Sequence, residues 1–366
     1  MTLRHAMLIA LTAVALGACE TPRPQAEGLS RPSTLYVNGR IVTMEGAQPD
    51  YVEALVVNDG RITFAGSRAQ ANKIAGRDAT EIDLEGNTLL PGFVDADSGS
   101  WDTNADEDAA LASVDRYTQF GYTTARVGRA SRADTEMWRQ LAGQNRIKID
   151  LAVYPEIPSE LPYMKLTFTT RAYSRHFRVA GVRLNLDAMS SAAEREALIS
   201  TAFEHHWQVL TECHGGRAAG ALMDAVARAG STYGNNDRRT VLIPTAMDPE
   251  DGLDRMKTLG VIQSYRIPTA PLAGAMLFVH AAVNRRIGRV EDVSPDEHVT
   301  PYVALKSITE WAAYQYFEES SKGTLTPGKL ADFVILDRNP LNAPPETIKD
   351  IQVLETIKEG QTVFKK

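Results

Sequence analysis

The sequence has few cysteines, no long apolar run and no basic run, and each absence excludes a class of protein. Its 366 residues include 2 cysteines, Cys19 and Cys213, which cannot make a disulfide framework. No apolar run approaches the roughly 20 residues that a membrane-spanning helix needs. The formal net charge is −7, and without a basic run a nucleic-acid partner is not expected. Hydrophobic residues make up 43% and charged residues 23%, an ordinary globular composition with ample core material.

The amino terminus has the pattern of an export signal. A basic start precedes an apolar stretch over residues 6–16, which leads into the tetrapeptide Leu16-Gly17-Ala18-Cys19. This tetrapeptide resembles a bacterial lipobox, in which the cysteine is lipidated and becomes the first residue of the mature protein. An ordinary signal peptide is the alternative. The sequence therefore predicts a lipoprotein signal peptide over residues 1–18, a lipid on Cys19 and a polar tether over residues 19–33.

The residue after this cysteine bears on the location. By the same resemblance, Glu20 rather than aspartate favours the outer membrane of a Gram-negative cell. The expected location is the bacterial cell envelope, as an outer-membrane lipoprotein that faces the periplasm or the cell surface. The expected partners are the membrane, through the lipid on Cys19, and a small molecule or partner protein that the sequence does not identify.

Both ends of the chain are rich in short strands, and the middle alternates strands with helices. Near the amino-terminal end, Asn38-Gly39 and Asn58-Asp59-Gly60 are typical of hairpin turns, and Glu359-Gly360 has the same character near the carboxyl-terminal end. Strands that alternate with helices indicate parallel βα units. The predicted strands of the middle lie near residues 89–96, 122–127, 148–154, 181–186, 207–213, 240–245 and 260–265.

Two segments resemble a known superfamily. Residues 89–100 read Leu-Leu-Pro-Gly-Phe-Val-Asp-Ala-Asp-Ser-Gly-Ser, and Pro91 to Asp95 match the start of the amidohydrolase pattern Pro-Gly-Phe-(Ile/Val)-Asp-x-His-x-His. Residues 322–332, Lys-Gly-Thr-Leu-Thr-Pro-Gly-Lys-Leu-Ala-Asp, resemble the family's Gly-x-(Ile/Leu)-x-x-Gly-Lys-x-Ala-Asp segment. Residues 34–366 thus resemble the amidohydrolase-3 branch, the group that contains N-substituted formamide deformylase.

The resemblance implies a fold and an activity. The implied fold is α/β: a TIM-like metal-dependent-hydrolase barrel over residues 91–321, here shortened to about seven strands, plus a composite β-sandwich from residues 34–90 and 322–366. Relatives hydrolyse non-peptide carbon–nitrogen bonds with one or two metals.

The metal ligands of that family do not carry over to this chain. Asp97 and Gly99 lie where the first two histidines belong, and Arg183 lies where a carboxylated lysine bridges the metals. Glu212 and Ile243 take the places of the histidines on strands five and six. A guanidinium can neither form a carbamate nor ligate a metal. The sequence therefore predicts a degenerate site with no cofactor and no confident catalytic residue.

Three interpretations of this site stay open. In the first, Arg183 replaces the metal electrostatically and bridges Asp97 and Glu212, which makes the chain a non-catalytic protein that binds a small ligand or a partner protein. In the second, Asp95, Asp97, Glu212 and His214 hold one divalent metal in a rearranged centre that hydrolyses an amide, formamide or cyclic amide. In the third, these polar residues are unconnected, with Asp97 as a helix cap.

Overall fold

The computed structural model describes residues 32–96, 106–186, 191–213, 216–234, 236–244, 251–264, 274–284 and 299–366. Cys19, Asp97, Gly99 and His214 lie outside the described residues, as does the predicted signal peptide. Residues Pro32–Lys366 form one compact unit.

The helices and strands follow one another much as the sequence indicates. The strands are β1 Thr34–Val42, β2 Tyr51–Asn58, β3 Arg61–Gly66, β4 Thr80–Asp83, β5 Thr88–Pro91, β6 Phe93–Val94, β7 Tyr122–Ala130, β8 Asp150–Ile157, β9 Phe177–Val179, β10 Gly181–Asn185, β11 Gln208–Cys213, β12 Val241–Pro244, β13 Ile262–Gln263, β14 Phe333–Leu336, β15 Val353–Lys358 and β16 Gln361–Lys365. The helices are α1 Arg68–Ala75, α2 Glu107–Gln119, α3 Arg132–Gly143, α4 Leu161–Met164, α5 Ala192–Glu204, α6 Gly216–Tyr233, α7 Asp251–Leu259, α8 Ala275–Asn284, α9 Pro301–Ser307 and α10 Glu310–Gln315, with a 3-10 helix over Pro345–Asp350. Within the described ranges, no helix combines the length and the apolar character that crossing a bilayer requires.

The two ends of the chain meet in one sheet. Its order is β16-β15-β14-β5-β1-β2-β3, and β4 pairs with β1 beside this path. The carboxyl-terminal strand β14 pairs antiparallel with β5, so that Phe333 lies opposite Pro91. Tyr36, Leu55 and Phe333 belong to one buried cluster that both ends share. The ends therefore combine, but the described strands form a single hydrogen-bonded sheet, and the sandwich arrangement stays a prediction.

Two of the three predicted hairpin turns are confirmed, and one is wrong. Asp59 and Gly60 join β2 to β3 with positive φ angles, and Glu359-Gly360 joins β15 to β16 in the same way. Asn38-Gly39 instead lies inside β1, where Asn38 has a φ of 57° at a break in register. A Cβ on Gly39 would lie 2.5 Å from the Cβ of Leu84, so this glycine permits a bulge that packs closely on the neighbouring chain.

The middle of the chain forms a parallel sheet that curls into a shortened TIM-like barrel. Its seven strands follow the order β13-β12-β11-β10-β8-β7-β6, and β9, which the sequence did not predict, pairs with β8 beside this path. Each strand pairs in parallel with its neighbour. Parallel strands joined by helices are expected to have right-handed connections. The side-chain oxygen of Ser264, just after β13, lies 3.4 Å from the carbonyl of Ala96, just after β6, so the two edges of the sheet approach each other.

The helices of the barrel begin at residues whose side chains cap free backbone N–H groups. Asp106 accepts a hydrogen bond from the backbone N–H of Ala109 at the start of α2. Ser131 and Asp134 form a reciprocal capping box at α3. Such caps fix where each helix starts, and with it the length of the loop that follows the preceding strand.

The predicted first barrel strand over residues 89–96 is divided between the two sheets, which corrects the prediction. Its first part is β5, in the sheet that the two chain ends form (the mixed sheet), and its second part is β6 of the barrel. Gly92 lies between them, and a Cβ there would lie 2.4 Å from a methyl carbon of Thr123. The chain passes from one sheet to the other at a point where only glycine fits.

Helix α10 and the residues before it take the place beside β6. The backbone N–H of Val94 donates to the carbonyl of Ile308 at 2.8 Å, and the hydroxyl of Tyr316 donates to the carbonyl of Asp95 at 2.7 Å. Ala312 and Tyr316 share a buried cluster with barrel residues, among them Ile243. In a complete barrel an eighth strand pairs with the first. Here a helical segment lies at that edge and fills the interior.

Candidate functional site

Toward the carboxyl-terminal ends of the barrel strands, two arginines bind one glutamate, and a third arginine lies beside them. Arg126 and Arg129 come from β7, Arg183 from β10 and Glu212 from β11. Barrels of this kind place their active sites at this end, because the loops that follow the strands converge there. We call these four residues the arginine–glutamate network.

The centre of the network is a buried ion pair. Arg183 pairs with Leu210 on the neighbouring strand, so Glu212, two residues further along, lies on the same face of the sheet. The side chains of Arg183 and Glu212 are 0% and 4% exposed, and the guanidinium donates from Nη2 to Oε2 of the carboxylate. The structure therefore joins the two residues that the sequence proposed as an electrostatic replacement for metal.

Arg129 binds the same carboxylate from the solvent side, at the carboxyl-terminal opening of the barrel (the barrel mouth). Its Nη2 lies 2.6 Å from Oε2 of Glu212, and 40% of its side chain is exposed. The backbone of Arg129 has a φ of 57°, in the left-handed region that side chains other than glycine rarely adopt. The register of β7 shifts between Gly128 and Ala130, so a bulge aims this side chain at the glutamate.

Arg126 and Arg183 approach each other over Gly128. A Cβ on Gly128 would lie 2.8 Å from Nη1 of Arg183 and 3.6 Å from Cζ of Arg126, so the missing side chain leaves room for both guanidiniums. The side chain of Arg126 is fully buried. Burial and then the charge of Arg126 lower the pKa of Arg183 to about 10, although Glu212 opposes this shift. Arg183 therefore stays protonated at neutral pH.

Asp95 lies in the same region, beside Arg126. Its Oδ2 accepts hydrogen bonds from the hydroxyl of Tyr117 at 3.1 Å and from the backbone N–H of Arg126 at 3.5 Å. The residue is 1% exposed. Asp97 and His214, its predicted partners in a rearranged metal centre, lie outside the described residues.

The described part of the mouth does not fit the metal of a hydrolase barrel. Arg183 places a buried positive charge at the predicted lysine position, and guanidinium groups have no lone pair for a metal. Oε2 of Glu212 already accepts from two guanidiniums. Ile243 is 1% exposed within an apolar cluster and offers no ligand atom. Of these three predicted ligand positions, one holds a cation, one holds a carboxylate that two guanidiniums already bind, and one holds an apolar side chain.

Two members of the network were not found from the sequence. Arg126 and Arg129 lie on a strand whose other residues are all buried. Two arginines in an otherwise buried strand indicate an internal ion network, because unpaired charges are costly to bury. The predicted strand ended at residue 127, before the bulge that redirects Arg129.

A second cluster of polar side chains lies at the amino-terminal ends of the strands. Asp150 begins β8, and its Oδ1 lies 2.7 Å from Nδ1 of His176. Glu359, between β15 and β16, places Oε1 4.0 Å from the same nitrogen. One ligand atom from each of the three residues lies within 4.8 Å of the others, so the three could hold a metal ion. No motif spacing pointed to this cluster, because its members are far apart in the chain.

Two lysines occupy the other oxygen of Asp150. Nζ of Lys322 lies 2.5 Å and Nζ of Lys358 lies 2.9 Å from Oδ2, and all three side chains are almost fully buried. Burial alone would raise the pKa of Asp150, but the two ammonium groups and the hydrogen bond with His176 hold that pKa well below its usual range. Asp150 is therefore ionised and bound on both of its oxygens at neutral pH.

Comparison with known families decides what this barrel is. The amidohydrolase family profile named Amidohydro_3 matches residues 99–278 and 273–364. The chain belongs to the amidohydrolase family. The predicted superfamily is thereby confirmed, and the α/β fold with its curled parallel sheet agrees with it.

Individual relatives of this amidohydrolase match over short segments. The exoenzymes regulatory protein AepA of Pectobacterium carotovorum is 38% identical over 63 residues, which cover 17% of this chain and 13% of that protein. The N-substituted formamide deformylase of Arthrobacter pascens is 33% identical over 79 residues, 22% of this chain and 15% of that protein. The chain thus spans a small part of the length of these relatives.

The fold of this amidohydrolase is shared with solved structures. An uncharacterized metal-dependent hydrolase from Pyrococcus furiosus has a TM-score of 0.70 at 15% identity and covers 85% of this chain and 100% of its own. That protein is described as metal-dependent, and in this chain Asp150, His176 and Glu359 could hold a metal ion. Together these findings favour the predicted alternative of one divalent metal over the prediction of none, with different residues from Asp95, Asp97, Glu212 and His214.

Proposed function

We propose that this amidohydrolase is non-catalytic at its barrel mouth and binds a small polar ligand there. The observation that carries the proposal is the buried ion pair between Arg183 and Glu212. A fixed guanidinium repels a divalent cation, and a hydrolase barrel without its metal has no activated water. What the mouth offers instead is a set of fixed hydrogen-bond donors.

Arg129 is the described residue best placed to contact the ligand. It uses one guanidinium nitrogen to bind Glu212, while 40% of its side chain faces solvent. A guanidinium carries five donors in a planar fork that suits carboxylate and amide oxygens. We therefore expect the ligand to carry such an oxygen, as the amides and acids of this family's chemistry do.

Thermal unfolding in the presence of small amides and carboxylic acids tests this function. A ligand present at a hundred times its Kd is expected to raise the free energy of unfolding by about 2.7 kcal/mol. Arg129→Ala should abolish the rise, whereas Arg77→Ala, a change at an exposed arginine of the mixed-sheet region, should preserve it. Hydrolysis of an amide or formamide that Glu212→Gln removes would contradict the non-catalytic account.

The second candidate is metal-dependent hydrolysis, which Asp150, His176 and Glu359 favour. Two features weigh against this cluster as a catalytic centre. It lies at the amino-terminal ends of the strands, the end that such barrels use for stability. The ammonium groups of Lys322 and Lys358 also bind Asp150 where a cation would need its charge. Hydrolytic activity that depends on added zinc and is lost in His176→Gln would establish this candidate.

We propose further that the chain is an outer-membrane lipoprotein, anchored by a lipid on Cys19. The support is the lipobox-like tetrapeptide Leu16-Gly17-Ala18-Cys19 behind a basic start and an apolar stretch. Cys19→Ser is expected to abolish incorporation of radiolabelled palmitate and to release the protein from membrane fractions. Labelling that persists in Cys19→Ser would rule out this anchor.

A further inference from the structure

A cleft of about 620 Å³ lies at the amino-terminal side of the barrel. Its walls include Lys165 and residues 167–171 after α4, Trp207 and Gln208 near the start of β11, and residues 236–238 before β12. Glu212 lies near the other end of β11, so this cleft is separate from the arginine–glutamate network.

The lining of the cleft is basic although the whole chain has a formal net charge of −7. Lys165, Arg171, Arg178 and Arg238 line it, against Asp237 as the acidic residue. A cleft of one sign in a protein of the opposite sign focuses potential toward ligands of the protein's own charge. The cleft therefore favours an anion.

Not all of these charges are free to bind a ligand. Arg178 pairs with Glu318 at 2.6 Å, and Asp237 pairs with Arg239 at 2.8 Å. The remaining cations of the lining are Lys165, Arg171 and Arg238. Within the described part of the chain, none of these three forms an ion pair with a carboxylate.

Two of these cations are fixed by neutral groups. The guanidinium of Arg171 lies 3.8 Å from the ring centroid of Phe317. Arg238 donates to the carbonyl of Phe203 at 2.9 Å and to that of Tyr233 at 3.3 Å. These contacts hold both guanidiniums in place without neutralising them, which is the arrangement of a preformed anion site.

Large apolar side chains stand in solvent beside the cleft. Leu166 is 86% and Phe168 is 94% exposed, and Phe168 also lines the cleft. The backbone around them is tied at both sides, since Leu166 donates to the carbonyl of Tyr163 at 3.0 Å and Thr170 donates to that of Val179 at 3.0 Å. The fold thus holds two apolar side chains away from its own core.

We propose that Lys165, Leu166, Phe168, Arg171 and Arg238 form a membrane-docking surface that binds anionic phospholipid. Leu166 and Phe168 enter the apolar layer, and the phosphate of a headgroup lies in the basic cleft. Charge complementarity selects this occupant, because apolar side chains bordered by cations are the pattern that anionic lipid surfaces attract. The surface is independent of ligand binding at the barrel mouth, although a lipid on Cys19 would keep it near a membrane.

Flotation with lipid vesicles tests the docking surface. The protein used is Pro32–Lys366, which forms one compact unit that contains both sheets. Because it starts after Cys19, it lacks the proposed lipid anchor. It is expected to bind vesicles that contain phosphatidylglycerol, to ignore vesicles of phosphatidylcholine alone, and to dissociate as salt is raised. The double variant Leu166→Ser/Phe168→Ser should weaken binding at least about ten-fold. Arg171→Gln and Arg238→Gln should each weaken it about five-fold.

Matched surface variants give the control. Ile74→Ser removes a half-exposed apolar side chain on α1, and Arg77→Gln removes a nearby exposed charge. Both should bind vesicles as the parent protein does, and all variants should keep the parent's unfolding midpoint. If Arg238→Gln unfolds, Arg171→Gln still tests the basic cleft.

Several results would overturn the proposal. These are the absence of binding to anionic vesicles, an equal loss in the control variants, and binding of soluble glycerol phosphate without any binding of vesicles. A dimer that Phe168→Ser dissociates, with no vesicle binding, would assign the surface to a second copy of the chain. None of these results affects the thermal-shift test of the barrel mouth, so the two proposals fail separately.

Discussion

Glu212→Gln is expected to lower the free energy of unfolding by about 3–5 kcal/mol. The change removes the carboxylate that both Arg183 and Arg129 bind, and it leaves a fully buried guanidinium beside Arg126. Because a buried charge without its partner keeps its desolvation cost, the loss should exceed that of Arg183→Met, after which Glu212 still has Arg129. Urea denaturation of the parent protein, Glu212→Gln and Arg183→Met measures which change lowers the free energy of unfolding more.

A surface ion pair provides the control for this prediction. Arg228 and Glu196 lie 2.8 Å apart with side chains 55% and 40% exposed, so Glu196→Gln should change the free energy of unfolding by no more than about 0.5 kcal/mol. The double variant Arg183→Met/Glu212→Leu should lose less than the sum of the two single changes, because apolar replacement of a whole buried pair is often tolerated. A loss at Glu212 as small as that at Glu196 would mean that the network contributes nothing to the fold.

Asp150→Asn should be as costly, at about 3–5 kcal/mol. The carboxylate lies between the buried ammonium groups of Lys322 and Lys358 and joins the carboxyl-terminal segment to barrel strand β8. Its loss leaves two buried ammonium groups without the carboxylate between them, although Lys322 keeps Glu318 and Lys358 keeps Asp332. The exposed pair of Lys148 and Asp115, at 2.7 Å with both side chains 50% exposed, gives the control, and Asp115→Asn should cost about 0.5 kcal/mol or less.

The same aspartate gives the protein a predictable pH dependence. Because the pKa of Asp150 in the folded state lies well below its unfolded value of about 3.9, its contribution is complete above that value and is lost as the pH falls below it. Asp332, whose pKa burial raises despite Lys358, contributes a slope of the opposite sign. The stability difference between parent and Asp150→Asn should therefore shrink below about pH 4. A difference that stays constant down to pH 2 would contradict the ionised aspartate.

The sequence located the repeating part of the fold well. Alternating strand and helix patterns placed seven barrel strands close to their observed positions, because each buried parallel strand is a short apolar run between loops. It failed at Gly92, where one apolar run serves two sheets, and at Asn38-Gly39, where a turn signal makes a bulge. Both depend on close approach of distant chain segments, Thr123 and Leu84, which local pattern does not record.

The candidate site was predictable in part. Comparison of the motif with its family pointed to Arg183 and Glu212, and strand pairing places them in contact. Arg129 was not predicted, because the predicted strand ended at residue 127 and a left-handed backbone at a bulge turns the Arg129 side chain toward the glutamate. The cluster of Asp150, His176 and Glu359 was likewise missed, since it joins three segments with no shared spacing.

Metal content after purification without chelator tests the central claim, that the arginine–glutamate network stands in place of the metal. Parent protein, Glu212→Gln and His176→Gln would be compared by elemental analysis, with folding checked by circular dichroism. No bound metal is expected to depend on Glu212: either none is bound, or the bound metal is lost in His176→Gln alone. Near-stoichiometric zinc, manganese or iron that Glu212→Gln removes and His176→Gln retains would place a working metal centre at the barrel mouth and contradict the account.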